Sequence, residues 1–322
     1  MLNLPPKTST KLYGKVPRKN KIPSLRGSRQ ERNVAGYLFI APWLIGFFLL
    51  TLYPVAWSFY LSFTNDTLFT KPKWIGFENF IHIFTTDTMF DKSLFVTFIF
   101  VVISVPVKLF FSLMVALLLS RNIKGMSAYR TAIYLPSLIG GSVAVSALWK
   151  NMFGVTGYLN HILEWFGIPS VAWLTNPKTA LASLILLNAW QFGSTMVIFL
   201  AGLKQIPRDL YESAAVDGAG RLKRLIAITL PMLSPVMFFN LVLGIIGAFQ
   251  QFTSAFVITS GGPLDATYFY ALYLYTKAFT DYQIGYASAL AWILLVIIAV
   301  LTGINFLLSN KWVHYESEGA GG

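Results

Sequence analysis

The chain has 322 residues, of which 55% are hydrophobic and only 12% are charged, and its formal net charge at pH 7 is +12. Soluble domains carry roughly 25% charged residues, so this composition excludes an ordinary soluble protein and indicates a membrane protein. The sequence has no cysteine, which excludes disulfides, a thiol nucleophile and cysteine-based metal sites.

Residues 1–35 precede the first apolar stretch and are rich in Lys, Arg, Pro and Ser. This composition lacks the apolar periodicity of a folded element, so we expect a disordered, basic cytoplasmic tail. Its charge is explained by membrane topology and by attraction to anionic membrane lipid, and we expect no nucleic-acid partner. The first apolar stretch follows this long tail and is itself too long for the apolar core of a signal peptide. We therefore expect it to stay in the mature protein.

Six apolar stretches are long enough to cross a hydrocarbon core about 30 Å thick. We therefore predict an all-α membrane protein with six transmembrane helices in one transmembrane domain, 36–315, followed by a short tail, 316–322. The six stretches lie near residues 36–64, 93–120, 128–150, 180–203, 232–259 and 285–309.

Lysine and arginine are distributed unequally between the two sets of loops. Eighteen of them fall before residue 36, in 121–130, in 204–226 and at the C-terminus, whereas five fall in 65–92, 151–179 and 260–284. Cytoplasmic loops of membrane proteins carry the excess of positive charge. We therefore predict that both termini are cytoplasmic.

Two lysines lie within or at the end of a predicted span. Lys150 is at the outer end of the third span, where its side chain can reach the interface. Lys108 follows Pro106 and is nearer mid-depth. A cation inside a membrane normally faces a partner or a wet cavity, so Lys108 either pairs with a neighbouring helix or contacts an acidic substrate.

Neutral polar side chains accumulate in the fourth and fifth predicted spans. In a membrane such groups either join helices or line a water-filled passage, and the spacing alone leaves both readings open. Aromatic rings beside amides and hydroxyls are also what sugar recognition requires. The residues are Asn188, Trp190, Gln191, Ser194 and Thr195 in one span and Asn240, Gln250, Gln251, Thr253 and Ser254 in the other.

A charged insert, residues 207–231, separates these two spans. Pro207 suits the first helical position, and the acidic residues after it suit the helix dipole. Asp217-Gly218 permits a sharp turn, and Pro231 is expected to begin the next span. The pattern predicts a helical hairpin for docking a partner, with one apolar face formed by Ala215, Ala219, Leu222 and Ile226.

The spacing of Glu212-Ser213-Ala214, Gly218, Ile228 and Leu230-Pro231 resembles the EAA loop of ATP-binding-cassette importer permeases, with Ser213 in place of the first alanine. The resemblance implies a type I importer permease fold with cytoplasmic coupling helices that fit a cleft of each ATPase subunit. The coupling residues it implies are Glu212, Ala214, Asp217, Gly218 and Arg221.

Segments from about residue 36 to 315, among them "WIGFENF" and "SGGPLDATYFYALYLYTKAF", resemble the larger-type permease of maltose and glycerol-phosphate importers. The resemblance implies a mid-membrane sugar site, although several residue types differ from those of the maltose protein. The implied positions are Ser137, Gly141, Trp190, Gln191, Ser194, Gly244, Ala248 and Gln251, to which we add the neighbouring Gln250 and Lys108.

The resemblance also implies the assembly: a second homologous permease, an ATPase dimer and an extracytoplasmic solute-binding protein, in a bacterial cytoplasmic (inner) membrane. The chain has no G-x-x-x-x-G-K-[ST] loop, so we expect no cofactor here, with ATP and Mg bound by the partner ATPase. The scattered histidines His82, His161 and His314 indicate no metal site.

The expected cargo is a carbohydrate, with an oligosaccharide as the first choice and an oligouronate or glycerol phosphate as alternatives because of Lys108. A secondary transporter is the rival class, but it needs carboxylates inside the membrane. All thirteen acidic residues fall outside the predicted spans. A membrane enzyme is disfavoured because the sequence shows no paired acids, nucleophile motif or metal ligands.

Overall fold

A computed structural model describes residues 29–67, 69, 71–120 and 125–314, with side chains from residue 37 onward. These residues form helices and loops without a named strand; one isolated antiparallel bridge joins Thr64 and Trp74. The all-α prediction is therefore confirmed over this part of the chain. Most of the predicted N-terminal tail and the whole of the predicted C-terminal tail lie outside the described residues.

The chain divides into two units, Met1–Ala56 and Trp57–Gly322. In the first unit, helix α1 (Arg29–Phe47) begins inside the predicted tail and leads through a π-helical turn, Phe48–Leu52, into α2 (Tyr53–Leu61), of which only the first four residues belong to this unit. Pro54 at the start of α2 lacks an N–H and crowds the preceding turn, which accounts for the local widening of the helix. The apolar run Tyr37–Leu61 is long enough to cross a membrane.

Two further helices of the second unit are long enough to cross a membrane unbroken: α4 (Thr88–Leu119) and the last helix, α15 (Ile284–Ser309). Helix α4 starts earlier than predicted, so Asp91 lies in its first turn. A short helix, α3 (Glu78–Thr85), precedes it.

Three other candidate crossings are pairs of helices separated by a sharp bend. The pair α5 (Met126–Ile139) and α6 (Val143–Met152) is bent by 98°, and the pair α8 (Pro177–Trp190) and α9 (Gly193–Gln205) by 42°. Gly140-Gly141 at the first bend and Gly193 at the second supply the small residues at which helices commonly kink. Counted as single spans, the bent pairs bring the described part to six candidate crossings.

The third bent pair differs from the sequence prediction. The segment Arg221–Met232 comprises α11 (Arg221–Arg224), a π-helical turn (Leu225–Thr229) and α12 (Leu230–Met232), and it meets α13 (Ser234–Phe249) at 64°. Pro231 is therefore inside the segment that leaves the hairpin and does not begin the membrane helix. Pro235, in the first turn of α13, favours a new helix start after the bend.

Short elements complete the chain, and α4 organises the packing around it. Helix α4 contacts α8, α9, α13 and α14, and its Phe100 packs 4.7 Å, centroid to centroid, from Phe269. Tyr270 N–H donates to Thr97 Oγ1 at 2.8 Å, which ties α14 to the N-terminal half of α4. The remaining elements are α7 (Tyr158–Trp165), α10 (Arg208–Val216), α14 (Tyr270–Tyr275) and π-helical turns at Ala255–Thr259 and Thr276–Thr280.

Candidate functional site

The bends of the third and fourth candidate spans pack against each other. Gln191 Nε2 donates to the carbonyl of Gly140 at 2.6 Å, and Ser194 Oγ donates to Ser137 Oγ at 3.3 Å. The contact is close because Gly193 has no side chain: a Cβ there would lie 2.6 Å from Ser137 Oγ. These residues, with Gly141 and Trp190, form the break cluster: Ser137, Gly140, Gly141, Trp190, Gln191, Gly193 and Ser194.

Trp190 gives the break cluster an aromatic edge. Its side chain is 37% exposed, and its ring lies 5.8 Å from that of Trp149, which stacks in turn on Phe153. Trp149 Nε1 donates to the carbonyl of Ser183 and fixes this stack to α8. An indole held in place with one part exposed is suited to contact the apolar face of a sugar ring.

Lys108 lies on α4 between two residues that contact neighbouring spans, one at α13 and one at the bend between α8 and α9. Three residues before it, Val105 packs against Gly244 of α13; four residues after it, Ser112 Oγ donates to the carbonyl of Phe192 at 3.2 Å. Within the described residues the Lys108 ammonium has no hydrogen bond or ion pair. An inter-helix partner, one of the two alternatives from the sequence, is thus not found in this part of the chain.

The other predicted substrate positions are not joined to the break cluster. Ala248 is buried, and Gln251 Nε2 donates to Ser254 Oγ. Gln250 lines a cavity of about 670 Å³ whose other lining residues all belong to α15. Asn240 donates to the carbonyl of Val236 within its own helix. Of the amides discussed here, only Gln191 joins two spans, and Gln250 faces a cavity.

The charged insert forms a hairpin, which we define as residues 207–232. Helix α10 ends in a Schellman motif: Gly218 N–H donates to Ala215 O at 3.1 Å, and Ala219 N–H donates to Ala214 O at 2.8 Å. This motif places Gly218 at φ +73°, which a residue without Cβ adopts freely. Tyr211 and Thr229 then close the hairpin through a hydroxyl pair at 2.9 Å. The turn predicted at Asp217-Gly218 is where the structure has it.

The hairpin exposes apolar side chains that a partner could cover. Leu222 and Ile226 of the predicted apolar face are 69% and 58% exposed, and Val216, which sequence reasoning missed, is 88% exposed. Glu212, Asp217 and Arg221 are exposed beside them and form no ion pair within the described residues. An apolar patch edged by charges is typical of a protein interaction surface.

Comparison with known families and proteins identifies the chain. Residues 90–314 match the model of the binding-protein-dependent transport system inner membrane component. The chain belongs to this family. It is therefore a multi-pass membrane protein and a transport subunit. This excludes the alternative prediction of a self-contained secondary transporter.

The permease resembles known proteins over most of its length. It is 51% identical over 304 residues to the probable ABC transporter permease protein YesP of Bacillus subtilis (strain 168), covering 93% of this chain and 98% of that protein. It is 32% identical to the lactose transport system permease protein LacF of Rhizobium radiobacter, covering 87% and 95%. A solved bacterial ABC transporter that imports the acidic polysaccharide alginate matches with a TM-score of 0.77 at 24% identity, covering 87% and 96%, and shows the same fold.

A carboxylate network at the N-terminus of α4 was not found from the sequence of this permease. Asp87 Oδ1 accepts the N–H groups of Met89 and Phe90, each at 3.0 Å, and Oδ2 accepts the hydroxyls of Tyr273 and Tyr286. Burial alone raises the pKa of Asp87, but these hydrogen bonds outweigh it and hold the pKa below its usual range. The local signal was present, since Asp before an apolar run is a helix N-cap; the tyrosines lie more than 180 residues away.

No metal-ligand cluster is present among the described residues, where no group of three or more His, Asp or Glu could hold an ion.

Proposed function

We propose that this permease is one of two transmembrane subunits of an ATP-driven, binding-protein-dependent importer for a carbohydrate, and that the cargo is an oligosaccharide. The observation that carries the proposal is the break cluster, in which a partly exposed indole, an amide and two hydroxyls meet inside the membrane domain. The lactose permease among its relatives and the alginate importer among its structural neighbours support a saccharide.

The proposed substrate site is built around the bends. Trp190 stacks on a sugar ring, while Ser137 and Ser194 exchange hydrogen bonds with its hydroxyls. Nothing lies within 4 Å of a Cβ built on Gly141, so this glycine allows the backbone to approach the sugar closely. Gly244 packs against Val105 and, like the residues after it on α13, meets the sugar only in another conformation. Ala248, Gln250 and Gln251 join this surface only if α13 shifts, because they face elsewhere in the present conformation. Alternating access supplies such a shift.

The hairpin is the proposed coupling device. Glu212, Ala214, Asp217, Gly218 and Arg221 present it to a cleft of an ATPase subunit, which binds ATP and Mg. Closure of the ATPase dimer draws the hairpins of the two permeases together and turns the site outward, where the binding protein delivers the sugar. Hydrolysis then returns the site to the inward-facing state. This scheme places 1–35 and both termini on the cytoplasmic side, with the transmembrane domain at 36–315.

An acidic cargo is the second candidate, and Lys108 favours it. A membrane-embedded ammonium with no partner in the described chain requires a counter-charge, and a uronate carboxylate or a phosphate provides one. Glycerol phosphate and an oligouronate both satisfy this requirement; the break cluster, whose hydroxyls and amide can bond sugar hydroxyls, favours the oligouronate.

The test is the ATPase activity of the reconstituted complex with its binding protein, over neutral oligosaccharides, oligouronates and glycerol phosphate. We compare the wild type with Lys108→Gln and with Lys150→Gln, an exposed lysine at the end of α6 that serves as the charge control. Stimulation by an oligouronate that only Lys108→Gln loses establishes the acidic cargo. Stimulation by a neutral sugar in all three proteins establishes the neutral one. The carbohydrate proposal is wrong if no saccharide stimulates a complex that a non-sugar ligand of the binding protein does stimulate.

A further inference from the structure

A second cavity, which the transport scheme does not use, lies between the hairpin and the ends of two membrane helices. Its volume is about 670 Å³. Four cationic side chains line it: Lys204, Arg208, Arg221 and Arg224. We refer to it as the basic cavity.

The charge of the basic cavity is uncompensated. No Asp or Glu is among its lining residues. None of the four cations forms an ion pair or a side-chain hydrogen bond within the described part of the chain. Like charges that share a cavity repel one another, and the repulsion grows as water is excluded. The cavity is therefore suited to an anion.

The basic cavity is also partly apolar and lies at the level where the helices leave the membrane. Leu117 is in the last turn of α4, which ends at Leu119, and Leu203 is in the last turn of α9, which ends at Gln205. Ile206 and Leu225 add apolar wall. Phosphate groups of lipids occupy this depth, with glycerol and acyl carbons directly beneath them, so the lining matches an amphiphile better than a free ion.

The basic cavity and the exposed apolar side chains of the hairpin lie on different sides of the hairpin. Arg221 and Arg224 line the cavity, whereas Val216, Leu222 and Ile226 do not and are exposed. The second arm of the hairpin thus has a cationic side facing the membrane helices and an apolar side facing outward. Of the proposed coupling residues, only Arg221 also lines the cavity, so the proposed ATPase contact leaves Lys204, Arg208 and Arg224 for another ligand.

We propose that the basic cavity binds the phosphate headgroup of an anionic phospholipid of the cytoplasmic leaflet. Lys204, Arg208 and Arg224 donate hydrogen bonds to its phosphate oxygens, and Leu117 and Leu203 contact its glycerol and acyl carbons. The bound lipid links the coupling hairpin to the ends of α4 and α9. The choice of leaflet rests on the proposed orientation; the binding chemistry does not.

The experiment uses the complete importer complex, delipidated in an uncharged detergent, and native mass spectrometry. Phosphatidylglycerol and phosphatidylcholine are added in equal amounts, and the bound lipid is counted. We expect selective retention of phosphatidylglycerol, and each cation replaced in Lys204→Gln, Arg208→Gln and Arg224→Gln lowers its occupancy about fivefold. Lys223→Gln is the matched control, because it removes the same charge from the next residue of the hairpin but does not line the cavity.

Several outcomes overturn the proposal. Equal retention of the two lipids by the wild type overturns it. That measurement uses the wild type alone, so it does not depend on the assembly of any variant. Equal losses in Arg224→Gln and Lys223→Gln indicate a general charge effect. Displacement of the lipid by millimolar inorganic phosphate assigns the cavity to a free anion. Loss of ATPase subunits from Arg224→Gln with lipid retention unchanged assigns it to the partner protein. A complex that retains phosphatidylglycerol selectively, and that a non-sugar ligand stimulates but no saccharide does, refutes the carbohydrate proposal and leaves this one standing.

Discussion

The hairpin and the break cluster carry the two halves of the proposed function, and they are built in opposite ways. The hairpin is local, since its Schellman turn joins residues within five positions of each other. The break cluster is non-local: Gln191 bonds to Gly140, 51 residues away, and Ser194 to Ser137, 57 residues away. A docking surface can thus be encoded in one segment, whereas a site inside the membrane must be assembled from bends in separate spans.

The largest expected effect tests the non-local half. Gly193→Val introduces side-chain atoms where even a Cβ lies 2.6 Å from Ser137 Oγ and 3.1 Å from the carbonyl oxygen of Ile133. Overpacking of this kind costs about 1–3 kcal/mol, and it forces apart the two bends. We expect a lower melting temperature of the complex and loss of saccharide-stimulated ATPase activity.

Gly247→Val is the matched control for that variant. Gly247 is also a glycine in an apolar helix, but nothing lies within 4 Å of a Cβ built on it. If both variants lose stability equally, the close approach of the two bends is not what Gly193 provides, and the comparison between the regions fails.

The next effect tests the local half. Gly218→Val requires a β-branched residue at φ +73°, and the left-handed region costs a residue with Cβ about 1–2 kcal/mol. No neighbour lies within 4 Å of a Cβ there, so the cost is conformational. Asn tolerates this region better, which makes Gly218→Asn the control. We expect Gly218→Val to uncouple ATP hydrolysis from transport while substrate binding persists. Gly218→Asn should retain coupling. Equal loss of coupling in both variants would show that the side chain, and not the backbone angle, matters.

The same contrast explains what could be predicted from the sequence. The helical class, the apolar stretches and the turn at Gly218 are local patterns, and the structure has them close to where they were expected. The end of the fifth span was misplaced, since α13 stops at Phe249 and not at residue 259, because apolar composition continues past the break at Gln250. The partners of Asp87, and the lack of a partner for Lys108 among the described residues, depend on helices packed from distant segments, and no spacing rule reveals them.

Asp87→Asn gives a smaller effect and tests whether the N-terminus of α4 is a fixed support for the bends. Asn is as good an N-cap as Asp, so the bonds to Met89 and Phe90 persist, while Tyr273 and Tyr286 lose an ionised acceptor. For a half-buried carboxylate, screened by solvent, we expect a loss of about 1 kcal/mol.

The pH dependence of the Asp87 contribution follows from its lowered pKa. The contribution is fully present above the ordinary value of 3.8 and disappears as the pH falls through the lower folded-state value. Melting temperatures of wild type and Asp87→Asn should therefore differ at neutral pH and converge in the acid range. A difference that grows on acidification would contradict this assignment.

The smallest expected effect decides whether the hydroxyls of the break cluster join helices or bind sugar. Ser137 Oγ already donates to the carbonyl of Tyr134 at 2.7 Å, and its 3.3 Å contact with Ser194 is long. Ser194→Ala leaves no buried donor unpaired, so we expect a stability change within about 0.5 kcal/mol. If Ser194 binds a sugar hydroxyl, the saccharide concentration for half-maximal ATPase stimulation rises about two- to tenfold. A fall in melting temperature with unchanged saccharide dependence makes the contact structural, and the proposed sugar surface then reduces to Trp190 and the groups around Lys108.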